Sequence, residues 1–353
     1  MRHPGPAGDL PQSQRGGALG QHEVHPHLHE PLPQRTRIIH RQCLPSIGRH
    51  CLLVLPQSRS GCRSFRLSRS DSRTYAGDVE LAEIRRYPVK SVSGWIVDSA
   101  VVEPWGLAGD RRWAVVDESG DLHWVGENPR LLSVVATRTA EDGLLLEAPG
   151  QPQLKVPPAT GEHVPVHFVE LDTAVLAHPE AHAWFSRLLG KPAHLVWLDD
   201  PRRCSVPASH GGLPGDVVSF AGDAPFLLTS RSSLRRLDDW IAEGALERQE
   251  EVPAPLDMAR FRPSLVVDGF PPYVEDTWRE IRIGALRFRM SELCDRCAVP
   301  TYDPVTLEKG KEPLRTLARH RSWGGKTWFG VRFIPRDYGE IRVGDEVTVL
   351  ATA

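Results

Sequence analysis

The chain has 353 residues, a formal net charge of −2 at pH 7, and 25% charged residues. A near-neutral chain gives no electrostatic argument for a nucleic acid or membrane partner, and no apolar run approaches the length of a membrane span. Its length permits a two-part globular protein with a sizeable core, which we expect to be soluble and cytoplasmic. The six cysteines are irregularly spaced and do not suggest a disulfide framework.

Residues 1–77 differ in composition from the rest of the chain. They are rich in Pro, Gln, His, Ser and Arg and poor in acidic residues, and the first lysine of the chain is Lys90. Such a segment has little apolar surface to bury, so we predict a disordered, dispensable extension. Cys43, Cys51 and Cys62 lie in it and are assigned no function.

From residue 79 onward the pattern predicts an α+β protein that is rich in β-strands. Closely spaced short strands with turn residues between them favour a barrel or a sandwich. Strands are predicted at 79–87 (an edge strand), 100–103, 113–117, 132–136, 143–147, 195–198, 225–229, 263–268, 280–290, 329–334 and 341–350. Helices are predicted at 181–190, ending at Gly190, at 232–242, capped by Ser230, and at 314–318. We expect a first domain at 78–200 and a second at 201–353.

A cysteine pair late in the chain carries the clearest chemical signal. Cys294 and Cys297 follow a strand-like run and precede two prolines, so they lie where a strand ends and a loop begins. Half of a zinc site, a redox pair and a soft-metal thiolate all have this spacing. No second ligand pair for zinc is nearby, and the prolines disfavour the helix that a redox pair opens. This leaves one thiolate ligand, its pKa lowered by Arg296 beside it. Taken alone, the motif is better explained by two buried structural cysteines.

Further motifs occur in a fixed order around this pair. They are 86–91 (RYPVKS), 106–113 (GLAGDRRW), 260–267 (RFRPSLVV), 275–278 (EDTW), 312–317 (EPLRTL) and 328–330 (WFG). The ordered set resembles MOSC-domain proteins, a family named for the C-terminal domain of molybdenum cofactor sulfurase. It is most similar to the branch that contains the mitochondrial amidoxime-reducing component and its bacterial relatives. The resemblance covers about residues 79–351 and implies an N-terminal β-barrel segment followed by a MOSC β-barrel domain.

The resemblance also implies a set of site residues for a molybdenum–molybdopterin cofactor. Cys297 is then the thiolate ligand of molybdenum, and Cys294 supports the loop. Cationic and hydroxyl donors for the cofactor are implied at Lys90, Arg111, Arg262 and Ser264. Taken singly, each cation also has an ordinary structural explanation, as a solvated lysine or as an arginine that bridges strands through carboxylates.

Three positions depart from the family pattern. Trp124 and Gly126 stand where the family has Thr and Arg, and Ser264 stands where it has Asn. The chain therefore lacks one guanidinium and one amide among the contacts expected for the pterin and phosphate. Beside these positions, we expect Asp110 to orient Arg111.

The implied chemistry is the reduction of N-hydroxylated or related N-oxygenated compounds, with electrons from a separate reductase or electron-transfer protein. No flavin, haem or iron–sulfur motif is visible in the sequence. Asp303 is a candidate proton donor or substrate anchor, and equally a turn residue before Pro304. Pyridoxal phosphate binding is a label of the wider family, and we assign no residue to it. Two alternatives remain: a module that carries the cofactor or persulfide sulfur without turnover, and a structural barrel with a zinc-bound or inert cysteine pair.

Overall fold

Strands make up most of the regular structure in the computed structural model, which describes residues 79–353. The predicted disorder of residues 1–77 concerns a segment outside the described residues. For the described part, the predicted fold class, α+β and rich in strands, is confirmed. These residues fall within one compact unit.

The first part of the described chain contains eleven strands and one helix. They are β1 (Glu80–Arg86), β2 (Trp95–Val97), β3 (Ser99–Glu103), β4 (Gly106–Leu107), β5 (Trp113–Val116), β6 (Val135–Arg138), β7 (Leu144–Glu147), β8 (Leu154–Val156), β9 (His163–Phe168), β10 (Leu171–Leu176), α1 (Pro179–Leu189) and β11 (His194–Trp197). Helix α1 ends as predicted, with Gly190 in the left-handed conformation. Its buried residues Ala181, Trp184, Phe185 and Leu188 form one stripe. Each large apolar side chain of that stripe stabilises the fold by about 1.5–3 kcal/mol.

The second part contains eight strands and two helices. They are β12 (Phe226–Ser230), α2 (Arg231–Glu247), β13 (Leu265–Asp268), β14 (Trp278–Ile283), β15 (Leu286–Asp295), α3 (Leu314–His320), β16 (Ser322–Trp323), β17 (Lys326–Pro335), β18 (Gly339–Arg342) and β19 (Val347–Thr352). In the described residues, no helix combines the length and apolar character that a membrane crossing requires.

Several sequence-based boundaries were wrong for local reasons. The predicted strand 280–290 is a hairpin of β14 and β15, which turns at Gly284 with a positive φ of 55°. The predicted strand 341–350 is divided between β18 and β19. The strand predicted at 132–136 begins later, because its first two residues belong to a 3-10 turn at Pro129–Ser133 and β6 starts at Val135. Ser230 does precede α2, but its hydroxyl pairs with that of Ser232 instead of capping the helix.

The largest sheet joins both parts of the chain. Its nine strands include the order β19-β14-β15-β17-β12-β13-β1-β2, with β16 beside β17. Strand β1 is therefore not an edge strand, because it pairs with β13 on one side and with β2 on the other. Strand β3 likewise pairs with β18. Chain segments that are distant in sequence thus meet at the end of β1, where the RYPVKS motif begins.

Candidate cofactor and metal site

A cavity of about 270 Å³ lies where the end of β1, the loop before β12, the start of β13 and the end of β15 come together. Its lining includes nearly every site residue that the resemblance implies. These are Lys90, Arg111, Arg262, Ser264, Cys294 and Cys297. The cavity is therefore the candidate site.

The aromatic ring of Tyr87 lies against the guanidinium groups of two arginines that line the cavity. Its ring is buried, with the Cζ of Arg111 at 4.4 Å from the centroid and the Cζ of Arg262 at 4.5 Å. Stacking of guanidinium groups on an aromatic face is favourable and fixes their planes. Two like charges share this one ring, so their mutual repulsion has to be offset by anions.

Arg111 has its counter-ion within the protein. Asp110, fully buried, accepts from Arg111 at 2.6 Å and also accepts from the backbone N–H of Tyr87 at 2.6 Å. Arg111 further donates to Ser264 Oγ at 3.3 Å and to the carbonyl of Arg262 at 3.0 Å. The prediction that Asp110 orients Arg111 is confirmed.

Arg262 and Lys90 have no such counter-ion among the described residues. One terminal nitrogen of Arg262 is buried without a hydrogen-bond partner. Lys90 donates to the neutral carbonyl of Phe220 at 2.9 Å. Burial, together with the charge of Arg111, lowers the pKa of Lys90 to about 8 and that of Arg262 to about 10. Lys90 and Arg262 therefore favour the binding of an anionic ligand in the cavity.

Backbone strain is concentrated at the same place. Ser91, Arg111 and Arg262 all line the cavity and have positive φ values of 67°, 46° and 56°. A residue with a Cβ adopts this conformation at a cost on the order of 1 kcal/mol or more, and such residues cluster at functional sites. The strained backbone at Arg111 and Arg262 places both side chains over Tyr87.

The two cysteines have different environments. Cys294 is the next-to-last residue of strand β15 and is buried, whereas Cys297 follows in the loop and is exposed. The guanidinium of Arg296 donates to Cys294 Sγ at 3.0 Å and to the carbonyl of Phe261 at 2.9 Å. The expectation that Arg296 assists the ligand thiolate is thus corrected, because its partner is Cys294. Cys297 lines the cavity and makes no such contact among the described hydrogen bonds.

The remaining predicted positions divide into two groups. Trp124, one of the departures from the family pattern, lines the cavity and packs against Gly126. Asp303 does not line it: it is paired with Arg260 at 2.5 Å and accepts from the backbone of Val305 and Thr306. These backbone hydrogen bonds, more than the charge of Arg260, lower the pKa of Asp303. The structure places Asp303 in a turn.

Sequence reasoning missed several residues of the site. Tyr87 and Ser91 were within a quoted motif but received no role, and Asp223 and Arg332 were not noticed at all. A Gly-Asp sequence just before a strand was the only local signal for Asp223.

Comparisons with known proteins agree with this organisation. A family model described as "MOSC N-terminal beta barrel domain" matches residues 78–192, and one described as "MOSC domain" matches residues 210–348. These matches confirm the expected order of an N-terminal barrel and a MOSC domain.

Individual relatives are about equally similar. The mitochondrial amidoxime-reducing component 1 of Homo sapiens is 30% identical over 290 residues, which cover 76% of this chain and 82% of the relative. The corresponding protein of Mus musculus is 31% identical, with the same coverage. A molybdenum cofactor sulfurase of Oryza sativa is 30% identical over 81% of this chain, and the chain spans only 36% of that relative's length.

Proposed function

The chain belongs to the MOSC family, and from this premise we propose that it is a molybdenum-cofactor-dependent oxidoreductase that reduces N-hydroxylated or related N-oxygenated compounds. The support from relatives is the name of the amidoxime-reducing components, which match across most of their length.

One observation carries the proposal. Lys90 and Arg262 place positive charge in a cavity where residues 79–353 supply no counter-ion to either of them, and an exposed thiol, Cys297, lines the same cavity. A phosphorylated, soft-metal cofactor is complementary to both, since its phosphate accepts from guanidinium and ammonium groups and its metal accepts a thiolate. The residues present therefore fit the cofactor that the family implies.

The roles of the residues follow from their positions. Cys297 would ligate the metal, and Cys294 with Arg296 would hold the loop. Lys90, Arg262 and Ser264 would bind the phosphate and pterin. Arg111 would line one side of the cofactor cavity, with its guanidinium held in place by Asp110. When bound, the cofactor supplies two-electron transfer to the N–O group. The electrons would come from a separate reductase or electron-transfer protein, because among residues 79–353 only three cysteines are present, too few for a cluster.

Metal and pterin analysis of full-length protein made in a cofactor-competent host tests the proposal. We expect molybdenum and pterin near one per chain, and reduction of an N-hydroxylated benzamidine by protein supplied with a chemically reduced viologen. Sulfane sulfur without metal would instead identify a sulfur carrier, and zinc or no metal would identify a structural module. A metal-loaded protein that never turns over would identify a cofactor carrier.

The two cysteines provide a matched pair of variants. Cys297→Ser is expected to remove one sulfur from the molybdenum shell, seen by X-ray absorption, and to abolish turnover, because a serine hydroxyl is a harder and less acidic donor. Cys294→Ser is expected to keep the shell and much of the activity. Equal effects of both substitutions would contradict the assignment of Cys297.

A further inference from the structure

A second group of titratable side chains borders the cavity. His210, Asp223 and Glu292 bring one ligand atom each within 4.8 Å of one another, and all three are half-buried. His210 ends a 3-10 turn, Asp223 lies in the loop before β12, and Glu292 lies on β15. Of the three, Asp223 lines the cavity.

The position of His210 follows from its neighbour. Gly211 has a positive φ of 75°, and a Cβ at this position would collide with the backbone of Ser291 on β15. Only glycine allows the turn to approach the strand so closely. This approach brings the imidazole Nδ1 within 2.7 Å of a Glu292 carboxylate oxygen.

The three ligand atoms do not form a vacant metal site. Arg332, opposite Glu292 on β17, lies between the two carboxylates, at 2.7 Å from Asp223 and 2.5 Å from Glu292. Its guanidinium already supplies the positive charge that a metal ion would bring. We call this group the His210 network; it consists of His210, Asp223, Glu292 and Arg332.

We propose that the His210 network delivers protons to the cavity during the reaction, with His210 as the relay residue and Asp223 as the donor to the substrate. Glu292, held by Arg332, accepts from Nδ1 of His210 and so turns Nε2 towards Asp223, at 3.7 Å from its carboxylate. A small rotation or one bridging water spans that distance. The side chain of His210 is partly exposed, so solvent can reach it and supply protons.

The proposal rests on the proposed function, and its chemistry balances as follows. Reduction of an N-hydroxy group breaks the N–O bond and consumes two electrons, which the separate reductase provides, and two protons. One proton completes the departing water, and the other forms the N–H bond that replaces the N–O bond. The Asp223 carboxyl gives the first proton to the departing oxygen and His210 restores it; a second passage along the same path supplies the nitrogen, and solvent reprotonates His210 each time. Asp303, held in its turn outside the cavity lining, is not required.

The charges that surround His210 come from every element packed on it. They are Glu292 and Arg289 on β15, Arg332 on β17, Asp223 before β12, Asp216 beside Arg289, and Asp295 beyond Arg332. A proton relay works only while it carries protons, so turnover should fall as the pH rises.

The activity test uses loaded full-length protein, N-hydroxybenzamidine and reduced viologen. His210→Gln should lower kcat by about 10²-fold, with little change in KM or molybdenum content, and should abolish the loss of activity at high pH. Added imidazole should partly restore His210→Ala. The control is His167→Gln, since His167 is also paired with a carboxylate, Asp121, at 2.8 Å, and lies at the surface. An unchanged kcat and pH profile in His210→Gln would overturn the proposal.

A second test needs no cofactor. In cofactor-free full-length protein, the ring NMR signals of His210 can be identified by their loss in His210→Gln. These signals should change in chemical shift in Asp223→Asn, because the substitution alters the group that faces Nε2 at 3.7 Å. Signals unaffected by Asp223→Asn, or zinc binding to the network, would refute the relay. Absence of molybdenum or turnover in the unsubstituted protein would refute the proposed function instead, and this measurement would still report on the contact between His210 and Asp223.

Discussion

Two groups of charges border the same cavity and are built differently. Lys90 and Arg262 have no carboxylate partner among the described residues, whereas the His210 network alternates acidic and basic groups at hydrogen-bonding distance. A buried charge without a partner lowers the stability of the folded protein, whereas a charge in an ion pair is compensated and held in a fixed position. The first group is thus suited to bind an anion from outside, and the second to hold and move a proton. Arg111 stands between them, since it faces the cavity and yet has Asp110.

The largest expected effect on stability comes from breaking the buried ion pair between Arg111 and Asp110. Arg111→Ala leaves the buried Asp110 carboxylate without its counter-ion, so we expect the free energy of unfolding of cofactor-free protein to fall by about 3–5 kcal/mol. Denaturant unfolding measures it. The double variant Asp110→Asn with Arg111→Ala should recover much of the loss, and a single variant as stable as the parent would show that Arg111 is not structural.

Arg262→Met tests the unpaired cation. Methionine keeps a long side chain and the same positive-φ backbone but removes the charge, so we expect cofactor binding to weaken by about 1.5–3 kcal/mol. Pterin occupancy measured under limiting cofactor reports the change. Stability of the cofactor-free protein should stay level or rise, because a buried, unpaired charge is removed. A marked loss of stability would show that Arg262, like Arg111, stabilises the folded protein.

The pH dependence of stability isolates Lys90. Its pKa is about 8 in the folded protein and 10.5 in the unfolded chain, so between these values the unfolded chain binds more protons. The free energy of unfolding should therefore rise with pH across this window, by about 1–2 kcal/mol after allowance for partial exposure. Below pH 8 the burial cost is fully present. Subtracting the curve of Lys90→Met isolates this contribution, and a flat difference would contradict the burial of an ionised Lys90.

The smallest effect concerns Asp303. Asp303→Asn should cost about 0.5–1 kcal/mol of stability, because the turn keeps an oxygen acceptor while the pair with Arg260 loses its charge. We expect kcat to change by less than about threefold, since Asp303 lies outside the cavity lining. Steady-state kinetics beside those of His210→Gln make the comparison direct. A loss of activity as large as that of His210→Gln would return the proton-donor role to Asp303.

The sequence was sufficient to find residues whose neighbours are fixed by a local motif. Asp110 and Arg111 are adjacent, and both cysteines lie at one strand end, so their proximity needed no knowledge of the fold. The partner of Arg296 could not be foreseen, because it depends on which face of the end of β15 each side chain occupies. The role of Tyr87 was equally hidden, because Arg262 reaches it only through the pairing of β1 with β13.

The His210 network had no signature at all. Its four members come from a short turn, a loop and two strands, and each one alone is an ordinary surface-type residue. Only the antiparallel register of β15 and β17, which sets Glu292 opposite Arg332, brings the group together.

The order of strands in the largest sheet has a consequence for synthesis on the ribosome. β1 is made early, but its partner Leu265–Asp268 emerges only after the whole first part of the chain. Until then β1 and its neighbour β2 can form only a two-stranded ribbon, which is marginally stable in water. The RYPVKS segment at the end of β1 therefore takes its final place late, and nascent chains halted before residue 265 would present an unsatisfied strand edge to chaperones.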